Sequence, residues 1–279
     1  MTDTTIPDLT LNTGAPIPQL GLGTSPLSDA QATDAVVAAA EAGYRHFDTA
    51  TRYGNEAGVA EGMRRSGIDR DELFVTTKLD GQFQGDDRAI GGLEAALDRM
   101  KLDYVDLLLM HWPLPQRGQF VSTWRTFEKL HSDGRARAIG VSNFKPAHLE
   151  TLLADASIVP AVNQIEINPF VPRDEQRAYG AEHGILTESW SPLGGSGARV
   201  LDSPVITAIA ERIGRTPGQV VLRWHVQNGL VVIPRSRVPA RIAENAAVFD
   251  FELTEDDVAE IATLSRGPNA GVDSDREGH

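Results

Sequence analysis

Two hydrophobic rhythms alternate along most of the chain. Short, nearly continuous apolar runs give way to longer stretches in which apolar positions recur every three or four residues, the marks of strand and helix in turn. LSDAQATDAVVAAAEAG reads as a helix, with Ser28 as N-cap and Gly43 just past its C-terminus. YRHFDTA then reads as a strand, NEAGVAEGMRRSG as a helix closed by glycine, DELFVTTK as a strand and DRAIGGLEAALDRM as a helix. YVDLLLMHW is apolar almost throughout, as expected of a strand buried on both faces. The alternation continues through the helix FVSTWRTFEKLHSDG, the strand RAIGVSNF, the helix PAHLETLLADA, the strand AVNQIEI, the helix PRDEQRAYGAEHG and the strand ILTESWSP. Two helices, SPVITAIAERIG and TPGQVVLRWHVQNG, precede the strand LVVIPRS and the helix PARIAENAAVF, and a last helix, TEDDVAEIATLSRG, leads into a polar tail. Ahead of all these, LTLNTGAPIPQLG sets two short apolar runs around Asn12-Thr13-Gly14, the pattern of a β-hairpin.

With the short GLG segment at Gly21–Gly23 as the first strand, the pattern gives eight strand–helix units and extra helices. Strands alternating with helices make a parallel sheet. No dinucleotide glycine fingerprint follows the first strand, which favours an α/β fold of the closed (β/α)8 TIM-barrel type with an N-terminal hairpin. An open doubly wound sheet is the alternative. No shift in composition divides the chain, and GGSG at Gly194–Gly197 falls inside a strand-to-helix connection. The expectation is one barrel domain over residues 1–279, with the polar tail at about 266–279.

Charge and composition narrow the function classes. The net charge of −13 and pI of about 4.9 would repel nucleic acid and anionic membrane, so neither is expected as a partner. The absence of cysteine excludes disulfides and thiolate metal ligation and fits a reducing compartment. MTDTTIPDLT has neither a basic nor an apolar signal region, and no apolar run is long enough to span a membrane. A soluble cytoplasmic protein is expected.

In a barrel of this kind chemistry gathers where strands end. There the sequence places Asp48 with Tyr53 in the following loop, then Lys78, His111, Ser142 with Asn143, Gln164 and Trp190. Each has an ordinary explanation alone: a loop-capping Asp, a solvated Lys, a structural His, a packing Trp. Their convergence on one rim is what points to a site. His46, His131, His148, His183 and His225 show no metal spacing, and no metal is expected.

Three long motifs carry a resemblance. GYRHFDTATRYGNEAGVA (43–60), RAIGVSNF (137–144) and IPRSRVPARIAENAAV (233–248) are similar to the signatures of the aldo-keto reductases, with Ala60 where Gly is usual and Arg235 where Lys is commoner. VDLLLMHWPLP, VPAVNQIEINP and TESWSPLG most resemble the bacterial diketogluconate reductases. The resemblance implies a catalytic tetrad of Asp48, Tyr53, Lys78 and His111. Reduction of a carbonyl by hydride leaves an alkoxide that needs a proton, and a free phenol with a pKa of about 10 is a poor acid at neutral pH. The Lys78 ammonium is expected to lower the Tyr53 pKa, Asp48 to hold and balance Lys78, and His111 to orient the carbonyl oxygen.

No side chain supplies hydride, so a cofactor is required. By resemblance, Ser142, Asn143 and Gln164 would hold the nicotinamide carboxamide, Trp190 would stack on its ring, and Ser191 and Leu193 would follow the pyrophosphate. Arg235, Arg237 and Arg241 cluster beside Ser236 and a helix start in an otherwise acidic chain, which makes a phosphate site. The resemblance, extending from Ile233, makes this the adenosine 2′-phosphate site, with Glu244 and Asn245 against adenine, and implies NADPH. Trp112 would face the substrate. Departures fall in the segments that line the pocket: Asp80 where Trp is common, Ser25 where an aromatic is common, Asn168 where His is common, and a small polar tail. Small polar aldehydes, ketoses and dicarbonyls, such as keto-sugar acids or glyoxals, are therefore expected in preference to steroids, on a monomer. The rival is a non-catalytic NADPH-binding or structural protein on the same scaffold.

Overall fold

The computed structural model of the chain describes residues 5–85, 87–195 and 199–279, so Ser196 and Gly197 of the GGSG stretch lie outside the described residues. Eight parallel strands follow one another around the central sheet: β3 (Gly21–Gly23), β4 (His46–Asp48), β5 (Phe74–Leu79), β6 (Val105–Met110), β7 (Ala136–Ser142), β8 (Val162–Glu166), β9 (Leu186–Trp190) and β10 (Val231–Val232). The spatial order is the sequence order, so no strand crosses over another, as a barrel requires and a doubly wound sheet forbids. The ends meet where Leu20 bridges Val232 in parallel, the Val232 amide donates to the Gln19 carbonyl at 2.9 Å, and the Gly23 amide donates to the Pro234 carbonyl at 3.2 Å. Glycine is needed at this seam, because a Cβ on Gly23 would stand 2.9 Å from the Ile233 carbonyl oxygen. The barrel expected from the sequence is therefore the fold.

All ten helices expected from the sequence begin within about two residues of the expected start, and the clearest caps are reciprocal boxes. Ser28 Oγ accepts from the Gln31 amide while Gln31 Oε1 accepts from the Ser28 amide, starting α1 (Asp29–Glu41). Each such cap contributes about 1 kcal/mol. Gly58 and Gly62 on α2 (Glu56–Ser66) let that helix lie directly on α1, since a Cβ at Gly58 would fall 2.3 Å from the Asp29 carbonyl oxygen. The strand expected from Asp71 starts only at Phe74, because Arg70–Glu72 forms a tight helical turn instead.

The hairpin, β1 (Asp8–Thr10) against β2 (Pro16–Pro18), closes the N-terminal end of the barrel. Leu11 and Ile17 pack on Phe74, Leu107, Val162 and Val231 there. The final segment crosses the opposite end. Val272 donates to Glu166 Oε2 at 2.8 Å, Arg173 donates to the Val272 carbonyl at 2.8 Å, and Lys145 holds Asp273 and Asp275, each at 2.5 Å. It ends with the His279 carbonyl accepting from the Gly81 amide at 3.0 Å. One end of the barrel is thus sealed by apolar packing, and the other carries a polar strap. Among the described residues no helix is long and apolar enough to cross a membrane.

Candidate active site

Lys78, one residue short of the end of β5, is 1 % exposed. Its ammonium donates to Asp48 Oδ1 at 2.5 Å, to the Thr49 carbonyl at 3.1 Å and to Tyr53 Oη at 3.5 Å. Asp48 arrives at the end of β4, and Tyr53 follows in a tight turn over Thr51–Tyr53 that Gly54, at φ 65°, brings to a close. Thr51 Oγ1 donates to the Lys78 carbonyl at 3.0 Å, fixing that turn to the neighbouring strand. The His111 ring stands edge-on to Tyr53 with centroids 5.7 Å apart. All four residues expected of the tetrad come together.

Desolvation raises the Tyr53 phenol above its ordinary pKa, and the Lys78 ammonium only partly offsets it. Lys78 thus lowers the phenol pKa in the expected direction, within a net rise set by burial. Burial works against the Lys78 charge, but Asp48 and Tyr53 outweigh it and its pKa lies above the usual value. Burial, reinforced by Lys78, holds His111 well below an ordinary imidazole, so it is neutral. A neutral ring still carries one N–H to donate.

A hydrogen-bonded network joins the tetrad to the residues expected to hold nicotinamide. Gln164 Nε2 donates to Asp48 Oδ2 and to Glu188 Oε2, both at 2.9 Å. Ser142 Oγ donates to the Gln164 carbonyl at 2.8 Å, and Asn143 Nδ2 donates to the His111 carbonyl at 3.0 Å. Trp190 Nε1 donates to Asn143 Oδ1 at 2.9 Å, which fixes the half-buried indole at the rim. Asn143 and Ser191 both have left-handed backbone, φ 65° and 50°, which is uncommon for non-glycine residues. Leu193 is half-buried beside them.

Beyond Ile233 lies the second predicted group. Arg235, Arg237 and Arg241 are exposed, and among the described residues none pairs with a carboxylate. Arg235 and Arg237 flank buried Ser236 in the chain, and Arg241 lies in the first turn of α9 (Pro239–Ala246), whose N-cap Val238 offers no side-chain cap. Glu244 is engaged by Thr216 Oγ1 at 2.8 Å, whereas Asn245 is buried and makes no side-chain hydrogen bond among the described residues. Unpaired guanidiniums beside a free helix N-terminus fit a phosphate-bearing cofactor.

Two residues beside the tetrad went unnoticed in the sequence. His279 sets its ring 4.7 Å from that of His111, edge-on, with Nδ1 2.7 Å from Asp80 Oδ1 and Nε2 3.2 Å from Trp112 Nε1. An indole N–H can only donate, so Nε2 accepts and Nδ1 carries the hydrogen toward Asp80. Asp80, noted only as a departure, is buried and is the partner that holds His279 over the site. Glu188 lies fully buried beneath Gln164. Among the described residues no cluster of His, Cys, Asp and Glu could hold a metal ion.

The aldo/keto reductase family model matches residues 18–266. The chain belongs to that family. Its members are NADP(H)-dependent oxidoreductases, so the enzyme class and cofactor expected from the sequence stand. Methylglyoxal reductase DkgA of Escherichia coli O157:H7 is 44% identical over 271 residues, 96% of this chain and 97% of that one. Morphine 6-dehydrogenase of Pseudomonas putida is 46% identical over 278 residues, covering 96% and 94%. A solved Bombyx mori aldo-keto reductase in complex with NADP superposes with a TM-score of 0.87 at 35% identity, covering 94% of this chain and 93% of that one. The family resemblance, and the likeness to the diketogluconate group, is thereby borne out.

Proposed function

We propose that this enzyme reduces small aldehydes, ketones and dicarbonyls, keto-sugar acids or glyoxals among them, with NADPH, and that Tyr53 gives the proton. The observation that carries the reading is the buried Lys78 joining Asp48 to Tyr53, with neutral His111 alongside. NADPH, when bound, supplies the hydride. Tyr53 Oη and the His111 N–H converge on one carbonyl oxygen, orienting it and stabilising the charge that develops there. Because desolvation raises the phenol pKa, Tyr53 is fully protonated at neutral pH, the state a donor requires. As the proton leaves, Lys78 at 3.5 Å stabilises the phenolate. Ser142, Asn143 and Gln164 would hold the carboxamide of nicotinamide, Trp190 its ring, and Arg235, Ser236, Arg237 and Arg241 the 2′-phosphate.

Substrate size follows from the wall. Trp112, His279 and the Asp80 carboxylate stand beside His111, and a Cβ on Gly278 would meet Leu114 Cδ2 at 2.8 Å, so the strap sits close. That polar, narrow wall supports glyoxals and keto-sugar acids over a bulky alkaloid. The name of the DkgA relative points the same way. The enzyme is further proposed to act as a cytoplasmic monomer. A kinetic panel of methylglyoxal, keto-sugar acids and bulky ketones tests the substrate class. Preference for the bulky ketones would overturn it, and no NADPH oxidation with any carbonyl would favour a non-catalytic binding protein.

A further inference from the structure

Inside the barrel lies a titratable group that the mechanism above does not use. Glu188 on β9 is 0 % exposed. Its Oε2 accepts from Gln164 Nε2 at 2.9 Å, while its Oε1 has no hydrogen-bond partner and stands 3.6 Å from His46 Nε2. Gln164 is itself 1 % exposed, and its amide nitrogen has two hydrogens and two carboxyl acceptors, Asp48 and Glu188. Its Oε1 accepts no hydrogen bond among the described residues. The reverse orientation would set that oxygen against the Asp48 carboxylate, so the amide has one workable orientation.

We propose that Glu188 is a positioning residue that acts through Gln164, locking the amide so that its Oε1 accepts an N–H of the nicotinamide carboxamide. This rests on the reading that Gln164 faces nicotinamide. The charges nearby say which form of Glu188 does the work. Asp48 and Lys78 face it across the barrel and balance one another, and His46 beside it is held neutral by burial, with a pKa of about 3. A second anion here would have no counter-ion. Burial, with Asp48 adding to it, pushes the Glu188 carboxyl up to about 8, so it is protonated at neutral pH. A protonated carboxyl needs no counter-ion: one oxygen accepts from Gln164, and the other stands 3.6 Å from neutral His46, whose Nε2 is engaged with Thr76 Oγ1 at 3.0 Å. Above about pH 8 it ionises, and the added negative charge disturbs the Asp48–Lys78 balance on which the amide rests.

Two variants of the full chain, Glu188→Gln and Glu188→Leu, test this by fluorescence titration. The ligands are NADPH and 2′,5′-ADP, which carries the phosphate but no nicotinamide. Glu188→Leu removes the acceptor. It should raise the NADPH dissociation constant about tenfold, the loss of one hydrogen bond, and leave 2′,5′-ADP within about twofold. Glu188→Gln keeps a neutral acceptor. It should bind NADPH within about threefold of wild type at pH 7 and lose the weakening that wild type shows above pH 8. Equal weakening of both ligands in Glu188→Leu would reduce Glu188 to a packing residue and overturn the proposal. Should Glu188→Leu fail to fold, identical NADPH-affinity profiles against pH for wild type and Glu188→Gln would overturn it. A wild-type chain that binds no NADPH would instead defeat the cofactor reading itself.

Discussion

Replacing Lys78 with Met is the change whose cost can be worked most closely. The side chain is about as long, but the ammonium is gone, and Asp48 is left 2 % exposed with only Gln164 still donating to its side chain. A carboxylate stripped of its counter-ion in so dry a site takes up a proton instead. The cost of that uptake is fixed by the unfolded chain, where a carboxyl titrates near 3.9: at pH 7 about three units at ~1.4 kcal/mol each, or about 4 kcal/mol. At pH 5 the same arithmetic leaves about 1.5 kcal/mol. The sign is set by protons: the native variant holds one that the unfolded chain releases, so its stability falls as pH rises above about 4. Urea unfolding of wild type and Lys78→Met at both pH values reads the difference. Adding Asp48→Asn should restore most of the loss at pH 7, because an amide needs no counter-ion, while carbonyl reduction stays abolished. A loss equal at both pH values and not restored by Asp48→Asn would mean that Lys78 contributes packing and not charge balance.

Tyr53→Phe should lower kcat about 10²–10⁴-fold, the usual contribution of a general acid, with NADPH affinity nearly unchanged by titration. Arg241→Ala should raise the NADPH dissociation constant at least about tenfold, one charge-assisted bond, while NADH changes less than about threefold; equal weakening would make Arg241 a folding residue. His279→Ala should widen the pocket, raising activity on bulkier ketones relative to methylglyoxal, and an unchanged ratio would remove His279 from the substrate wall. Stability of the cofactor-free chain should fall on both the acid and the alkaline side of neutrality. His46 and His225, held near 3 and 4, stay neutral in the fold, so stability is lost as pH falls below about 6.5; Glu188, held near 8, keeps its proton, so stability is lost as pH rises toward 8. A melting-temperature series across this range checks both limbs.

Local signals were enough for most of the fold. The Ser28 box, the left-handed glycines and the unbroken apolar run of β6 each act over a few residues, and so could be read directly. Barrel closure was expected only from the count of units and the missing glycine fingerprint: it depends on Leu20 meeting Val232, a single bridge that no periodicity marks. Asp48, Tyr53, Lys78 and His111 could be placed on one rim because strand ends in a barrel converge, and it was the resemblance that implied a tetrad. The Asp80–His279 contact spans 199 positions, and only the odd carboxylate at Asp80 hinted at a partner. Glu188 reads as one more polar residue between Thr187 and Ser189; its importance comes from burial and from Gln164, both properties of the closed barrel. The raised Tyr53 pKa likewise reflects desolvation, which a sequence does not display.

The central claim is that Tyr53, set against Lys78 and His111, protonates a small carbonyl as NADPH is oxidised. Following NADPH absorbance with methylglyoxal at pH 7, for wild type and Tyr53→Phe side by side, tests it most directly. The account predicts rapid oxidation matched by alcohol formation in the wild type and a rate lower by about 10²-fold or more in the variant. Equal rates in the two proteins would contradict it.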